Sequence, residues 1–110
     1  MTVREIAEKL ELSVLAGEDG LDREAEGCYI GDLLSWVMAR AESGDVWLTV
    51  MGNVNAIAVA SLTDAACIVL TESAALDEDA RARADQQGIA VLTTELDSYG
   101  LACRIAELLR

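Results

Sequence analysis

The sequence predicts a single α/β domain, residues 1–110, with a mixed, mostly parallel sheet of about five short strands and helices on both faces. Three observations predict it. From Cys28 onward, apolar runs of strand length alternate with helical patterns, which is the order of βαβ units around a parallel sheet. The runs VWLTVM and ACIVLTE are apolar at successive positions, so both of their faces are buried. The chain has 110 residues, 53% of them hydrophobic, enough to bury a core without disulfides.

The elements follow in order. Thr2-Val3-Arg4-Glu5 is a capping box, and Val3, Ile6, Ala7 and Leu10 fall at helical spacing, so a helix spans about 3–10. Leu12 to Leu15 reads as a strand whose direction in the sheet is open, because the loop after it is too short for a crossover helix. A polar, glycine-punctuated loop leads to the strand Cys28-Tyr29-Ile30. Gly31-Asp32 then turns into a helix to about Ala41, with Asp32 as its N-cap. Val46 to Met51 is the next strand. Gly52-Asn53 opens the helix VNAIAVASLTD, which precedes the strand ACIVLTE. Asp77 caps EDARARADQQ, Gly88 ends it, and IAVLTT is the last strand. Thr94 caps a final helix, Glu95 to Leu109.

Composition excludes several functions. Twenty acidic and eight basic residues give a net charge of −12, which repels phosphate backbones and anionic membranes, so neither nucleic acid nor membrane is an expected partner. Cys28, Cys67 and Cys103 are far apart, lie among apolar neighbours and have no histidine to join them, so buried thiols are expected and no metal site is. No leader or long apolar run is visible, so the protein is expected to be cytoplasmic.

The stretch GLDREAEGCYIGDLLSWVM, with Asp22-Arg23 before Gly27 and then Gly31-Asp32-Leu33-Leu34-Ser35, resembles the DRTGG domain family. DVWLTVMGNVNAIAVASLTDAACIVLTE and GIAVLTTELDSYGLA resemble it too, so the likeness spans nearly the whole chain. The chain departs from the family's name after Asp22-Arg23, continuing Glu24-Ala25-Glu26-Gly27. The resemblance implies a regulatory or assembly module. It also implies a fold similar to the N-terminal domain of HPr kinase/phosphorylase, and with that similarity comes a serine-kinase label.

The residues do not carry that label. GxxxxGK[ST] is absent, Lys9 is the only lysine, and without histidine there is no Ser-His or Cys-His pair. No catalytic residue and no cofactor is expected. A small-ligand site is the alternative function, for a nucleotide or phosphometabolite beyond the carboxyl ends of the strands. Gly31, Asp32, Asn53, Asn55, Thr93 and Thr94 are its candidates, set against plain helix capping. Arg23 either braces its loop or contacts a phosphate.

The helices suggest a homodimer. Leu33, Leu34, Val37, Met38 and Ala41 form one stripe, and Trp36 lies on its flank, where it either folds over its own domain or anchors a partner. The helix with Ile57, Ala58, Val59, Ala60 and Leu62 is apolar nearly all round. A second copy covering Leu33, Trp36, Ile57 and Leu62 would bury this surplus, and loops and terminal helices are the other means of covering it. The leading expectation is a non-catalytic, homodimeric regulatory or interaction module, with a protein partner or a nucleotide-like ligand.

Overall fold

Thr2 opens the first helix as its sequence dictates: the Thr2 hydroxyl accepts from the Glu5 amide while the Glu5 carboxylate accepts from the Thr2 amide. In a computed structural model describing all 110 residues, that helix is α1 (Val3–Leu10). It is followed by β1 (Ser13–Ala16), a short 3₁₀ turn (Glu18–Gly20) and β2 (Gly27–Ile30). The remainder alternates without exception: α2 (Leu34–Arg40), β3 (Asp45–Thr49), α3 (Val54–Thr63), β4 (Cys67–Leu70), α4 (Glu78–Gln87), β5 (Val91–Thr93) and α5 (Ser98–Leu109).

The sheet order is β1-β5-β4-β3-β2. The strands β2 to β5 are parallel, with Tyr29 beside Trp47, Trp47 beside Ile68 and Ile68 beside Val91. The direction that sequence left open is antiparallel: β1 runs against β5, Ser13 opposite Thr93, with an irregularity between Val14 and Ala16.

Alternation along the strands separates two cores. Trp47, Ile68, Leu70 and Val91 pack against Val37 of α2, Ile57 and Ala60 of α3, and Ala80 and Ala84 of α4. Val46, Leu48, Val69 and Leu92 pack against Val3 and Ile6 of α1 and Leu101 and Ile105 of α5. The result is the three-layer arrangement that both-face-apolar strands demand. No helix is long and apolar enough to cross a membrane.

This layering corrects one expectation. The apolar circumference of α3 needs no second copy, because α3 lies on the sheet with α2 on one side and α4 on the other. Ile57 is 1% exposed within a single chain and is unavailable to a partner. On the same helix Leu62 is 73% exposed.

A second correction concerns α2. It sits at the sheet edge with one flanking helix, so Val37 alone is buried and Leu34 and Ala41 are half-buried. Leu33 and Met38, expected on the buried stripe, are exposed, as is Trp36 at 56%. The Arg40 guanidinium stacks 3.8 Å above the Trp36 ring.

Candidate functional site

The parallel strands bring their carboxyl ends to one rim, and six of the seven predicted ligand residues sit along it in two separate groups. The first group surrounds the β2 and β3 tips. Asp32 does not cap α2, whose N-cap is Leu33 without a side-chain bond. Instead one Asp32 carboxylate oxygen accepts from the buried Thr49 hydroxyl at 2.7 Å and from the Val50 amide at 3.1 Å. The Gly31 carbonyl accepts the indole N–H of the fully buried Trp47 at 2.9 Å. A Cβ on Gly31 would come within 2.9 Å of the Tyr29 ring. The glycine-aspartate turn is therefore a clasp between neighbouring strand ends. Asp32→Ala is expected to cost about 1–2 kcal/mol, and Asp32→Asn, which keeps an acceptor, less; the midpoint of urea unfolding measures both.

Asn53 does cap its helix, accepting from the Ala56 amide at 2.9 Å, and Asn55 is exposed on the first turn. The adjoining Gly52 is fixed by crowding: a Cβ there would lie 1.9 Å from the Ala75 carbonyl oxygen. Arg23 lies away from this rim. It pairs with the Asp64 carboxylate at 2.9 Å and donates to the Asp64 carbonyl at 3.2 Å, beyond the end of α3 and before β4 begins. The Ser43 hydroxyl and Arg23 together hold the Asp64 carboxyl below its ordinary range. Arg23 thus braces the amino ends of the strands, the first of its two readings.

The second group, Thr93 and Thr94, lines an open hollow of about 560 Å³ together with Ser13, Ser73, Glu95 and Arg104. Its position follows from the topology. The chain leaves β4 toward α4 on one face of the sheet and leaves β5 toward α5 on the other. Where neighbouring strands send their loops to opposite faces, a crevice opens at the carboxyl ends. Two consecutive non-glycine residues, Glu72 and Ser73, adopt left-handed φ values of 56° and 55° at its margin. Each conformation costs on the order of 1 kcal/mol. It is held by amide bonds from Glu72 to the Leu96 carbonyl at 2.8 Å and from Ser73 to the Thr94 carbonyl at 2.9 Å. Thr94 does not cap α5; Asp97 does, and the Thr94 hydroxyl accepts from the Leu96 amide.

Sequence reading missed Ser13 and Arg104. Arg104 is one charged residue on the outer face of an amphipathic helix, and Ser13 reaches the hollow only because β1 docks on β5. The cysteines also differ from expectation: Cys67 is buried, whereas Cys28 and Cys103 are exposed. Desolvation, helped by the Asp45 carboxylate, nonetheless pushes the Cys28 thiol up to about 11, and burial pushes Cys67 up to about 12. Neither is a thiolate at neutral pH.

The edges of the sheet are unlike. At β1, the Arg81 guanidinium donates to the Leu15 carbonyl and Asp85 accepts the Gly17 amide, so α4 closes that edge. At β2 no backbone hydrogen bond beyond the ladder with β3 is made by residues 27–30, whose side chains are uncharged. Ile30, Leu33, Trp36 and Val50 beside it are 43–59% exposed.

An open five-stranded sheet with helices packed on both faces defines the class: a small three-layer α/β domain. Within that class the chain belongs to the DRTGG domain family, whose model matches residues 5–108. No curated protein matches the chain. Among solved structures it is similar to the CBS and DRTGG domains of the regulatory region of Clostridium perfringens pyrophosphatase, complexed with the activator diadenosine tetraphosphate. The TM-score is 0.70 at 13% identity, over 93% of this chain and 44% of that one. The chain therefore spans less than half of that regulatory region.

Proposed function

We propose that residues 1–110 form a non-catalytic regulatory module of the cytoplasm that works by self-association. The observation that carries this reading is the bare β2 edge, uncharged along its length and bordered by exposed Ile30, Leu33, Trp36 and Val50. An unpaired strand edge is a template for another strand, and natural proteins usually guard it with charge or proline. β2 has neither. Pairing β2 antiparallel with its symmetry mate satisfies a two-fold axis, joins two five-stranded sheets and covers Leu33 and Trp36. Neutrality at this edge also matters, because each copy carries a net charge of −12. The regulatory part of the reading is supported by membership of the DRTGG family and by the pyrophosphatase regulatory region that shares the fold. The absence of histidine and of a phosphate-binding loop supports a non-catalytic role.

Light scattering tests the reading. The wild type is expected to be a dimer, and Trp36→Ala and Ile30→Lys are each expected to raise the dissociation constant about tenfold or more while the chain stays folded. A wild-type monomer at about 100 μM, far above the Kd of a stable dimer, sinks it.

A second reading, sensing of a nucleotide-like ligand, is supported by the diadenosine tetraphosphate bound to the similar pyrophosphatase region. A rise in melting temperature with that compound is the expected result if it holds here.

A further inference from the structure

We infer that the hollow at the β4–β5 carboxyl ends binds a small ligand carrying one anionic group and several adjacent hydroxyls, the chemistry shared by sugar monophosphates and sugar acids. The inference rests on the small-ligand reading and is independent of self-association.

The position is the crevice that the fold itself creates, and the volume of about 560 Å³ lies within the range of small-molecule sites. The lining is mostly polar: of nine residues only Leu10 and Leu96 are hydrophobic. That suits a hydroxylated ligand and not a flat apolar one. Arg104 enters none of the ion pairs or side-chain hydrogen bonds of the folded chain. Its guanidinium thus keeps all its donors for a carboxylate or phosphate, which it can grip with two parallel bonds. The hydroxyls of Ser13, Ser73 and Thr93 likewise make no bond within the protein, whereas the neighbouring Thr94 and Thr71 hydroxyls are occupied.

Charge fixes how anionic the ligand is. Glu11 and Glu95 share the hollow with Arg104, one cation against two carboxylates. A polyphosphate brings more negative charge than Arg104 can offset. A single anionic group on Arg104, with sugar hydroxyls donating to the carboxylates, satisfies both signs. The left-handed pair Glu72-Ser73 holds Ser73 at the margin, tied to the Thr94 carbonyl from across the crevice.

The test is an amide NMR titration of the full chain with ribose 5-phosphate, gluconate, myo-inositol, inorganic phosphate and ATP. Ribose 5-phosphate or gluconate is expected to shift the Ser73, Thr93 and Thr94 amides, and whichever binds tighter identifies the source of the anion. Inositol and inorganic phosphate, each with half of the required groups, and ATP, with excess charge, are expected to bind more weakly. Arg104→Gln is expected to raise the dissociation constant roughly tenfold, and Thr93→Val to raise it by a smaller factor. Both variants should keep the wild-type melting temperature, since neither side chain is bonded in the folded chain. Equal binding by Arg104→Gln, equal binding by inorganic phosphate, or no shift of these amides at millimolar probe overturns the inference. Diadenosine tetraphosphate, added as a sixth probe, binding elsewhere in the chain while neither ribose 5-phosphate nor gluconate moves these amides removes this site and leaves nucleotide sensing standing; binding by none of the six removes both.

Discussion

Replacing Ile57 with aspartate is expected to unfold the domain. Ile57 is 1% exposed and is surrounded by apolar atoms of α3, its flanking helices and the sheet. A carboxylate there has no partner, and burying it unpaired costs about 4 kcal/mol or more on top of the lost isoleucine packing. A domain of this size is stabilised by about 5–15 kcal/mol, so the substitution removes most or all of that margin. Leu62→Asp, five residues further along the same helix and 73% exposed, is expected to change stability by about 0.5 kcal/mol or less. Circular dichroism melts of the pair separate the two positions. A cooperative Ile57→Asp melt near that of wild type would mean that α3 is not seated as described.

Gly17→Ala is expected to be the most damaging loss of a glycine, and Gly88→Ala shows why. Both residues have left-handed φ values, 71° and 66°, so alanine pays a similar conformational penalty of about 1 kcal/mol at each. Their surroundings differ. A Cβ on Gly17 would stand 1.8 Å from the Ile89 carbonyl oxygen, and that neighbour is backbone and cannot swing away. A Cβ on Gly88 meets only the Asp19 Cβ at an ordinary 3.7 Å. Gly17→Ala must therefore push the loop after β1 off the segment before β5, losing the bond from the Gly17 amide to Asp85. It is expected to cost about 2 kcal/mol more than Gly88→Ala. Denaturant midpoints at constant m-value measure the difference, and equal costs would show that conformation alone governs both sites.

The architecture was legible in the sequence because local patterns determine it. The capping box fixes α1 at residues 3–10, Asn53 caps α3, Asp77 holds the N-cap place of α4 though its side chain makes no capping bond, and Gly88 marks the end of α4. Strand runs apolar on both faces required helices on both sides, and those helices are present. Errors arose where tertiary contacts outbid local chemistry. Asp32 has the residue type and place of an N-cap, yet the Thr49 hydroxyl and Val50 amide of the next strand capture it. Thr94 yields the cap of α5 to Asp97 for a local reason instead: its hydroxyl accepts from the Leu96 amide two residues on, and Asp97 accepts from the Gly100 amide. The surplus apolar character of α3 and α2 looked alike in sequence, but a central helix has two neighbours and an edge helix one. The candidate site was half legible. Thr93 and Thr94 follow from the rule about strand ends, whereas Arg104 and Ser13 join them only through the packing of α5 and the docking of β1.

The antiparallel β1 has a consequence for how the chain is made. Its partner residues, Ser13 and Thr93, are separated by most of the sequence, while β2, β3 and β4 each pair with the strand next in order. Contacts across so long a span close slowly and late. During synthesis α1 and β1 emerge before the other strands, yet β1 finds its place only after β5 has left the ribosome. Until then the β5 edge stays open, and the hollow at the strand ends lacks the wall that Ser13 supplies. The four parallel strands can assemble progressively, but the last one is covered only when β1, made before all of them, returns to it.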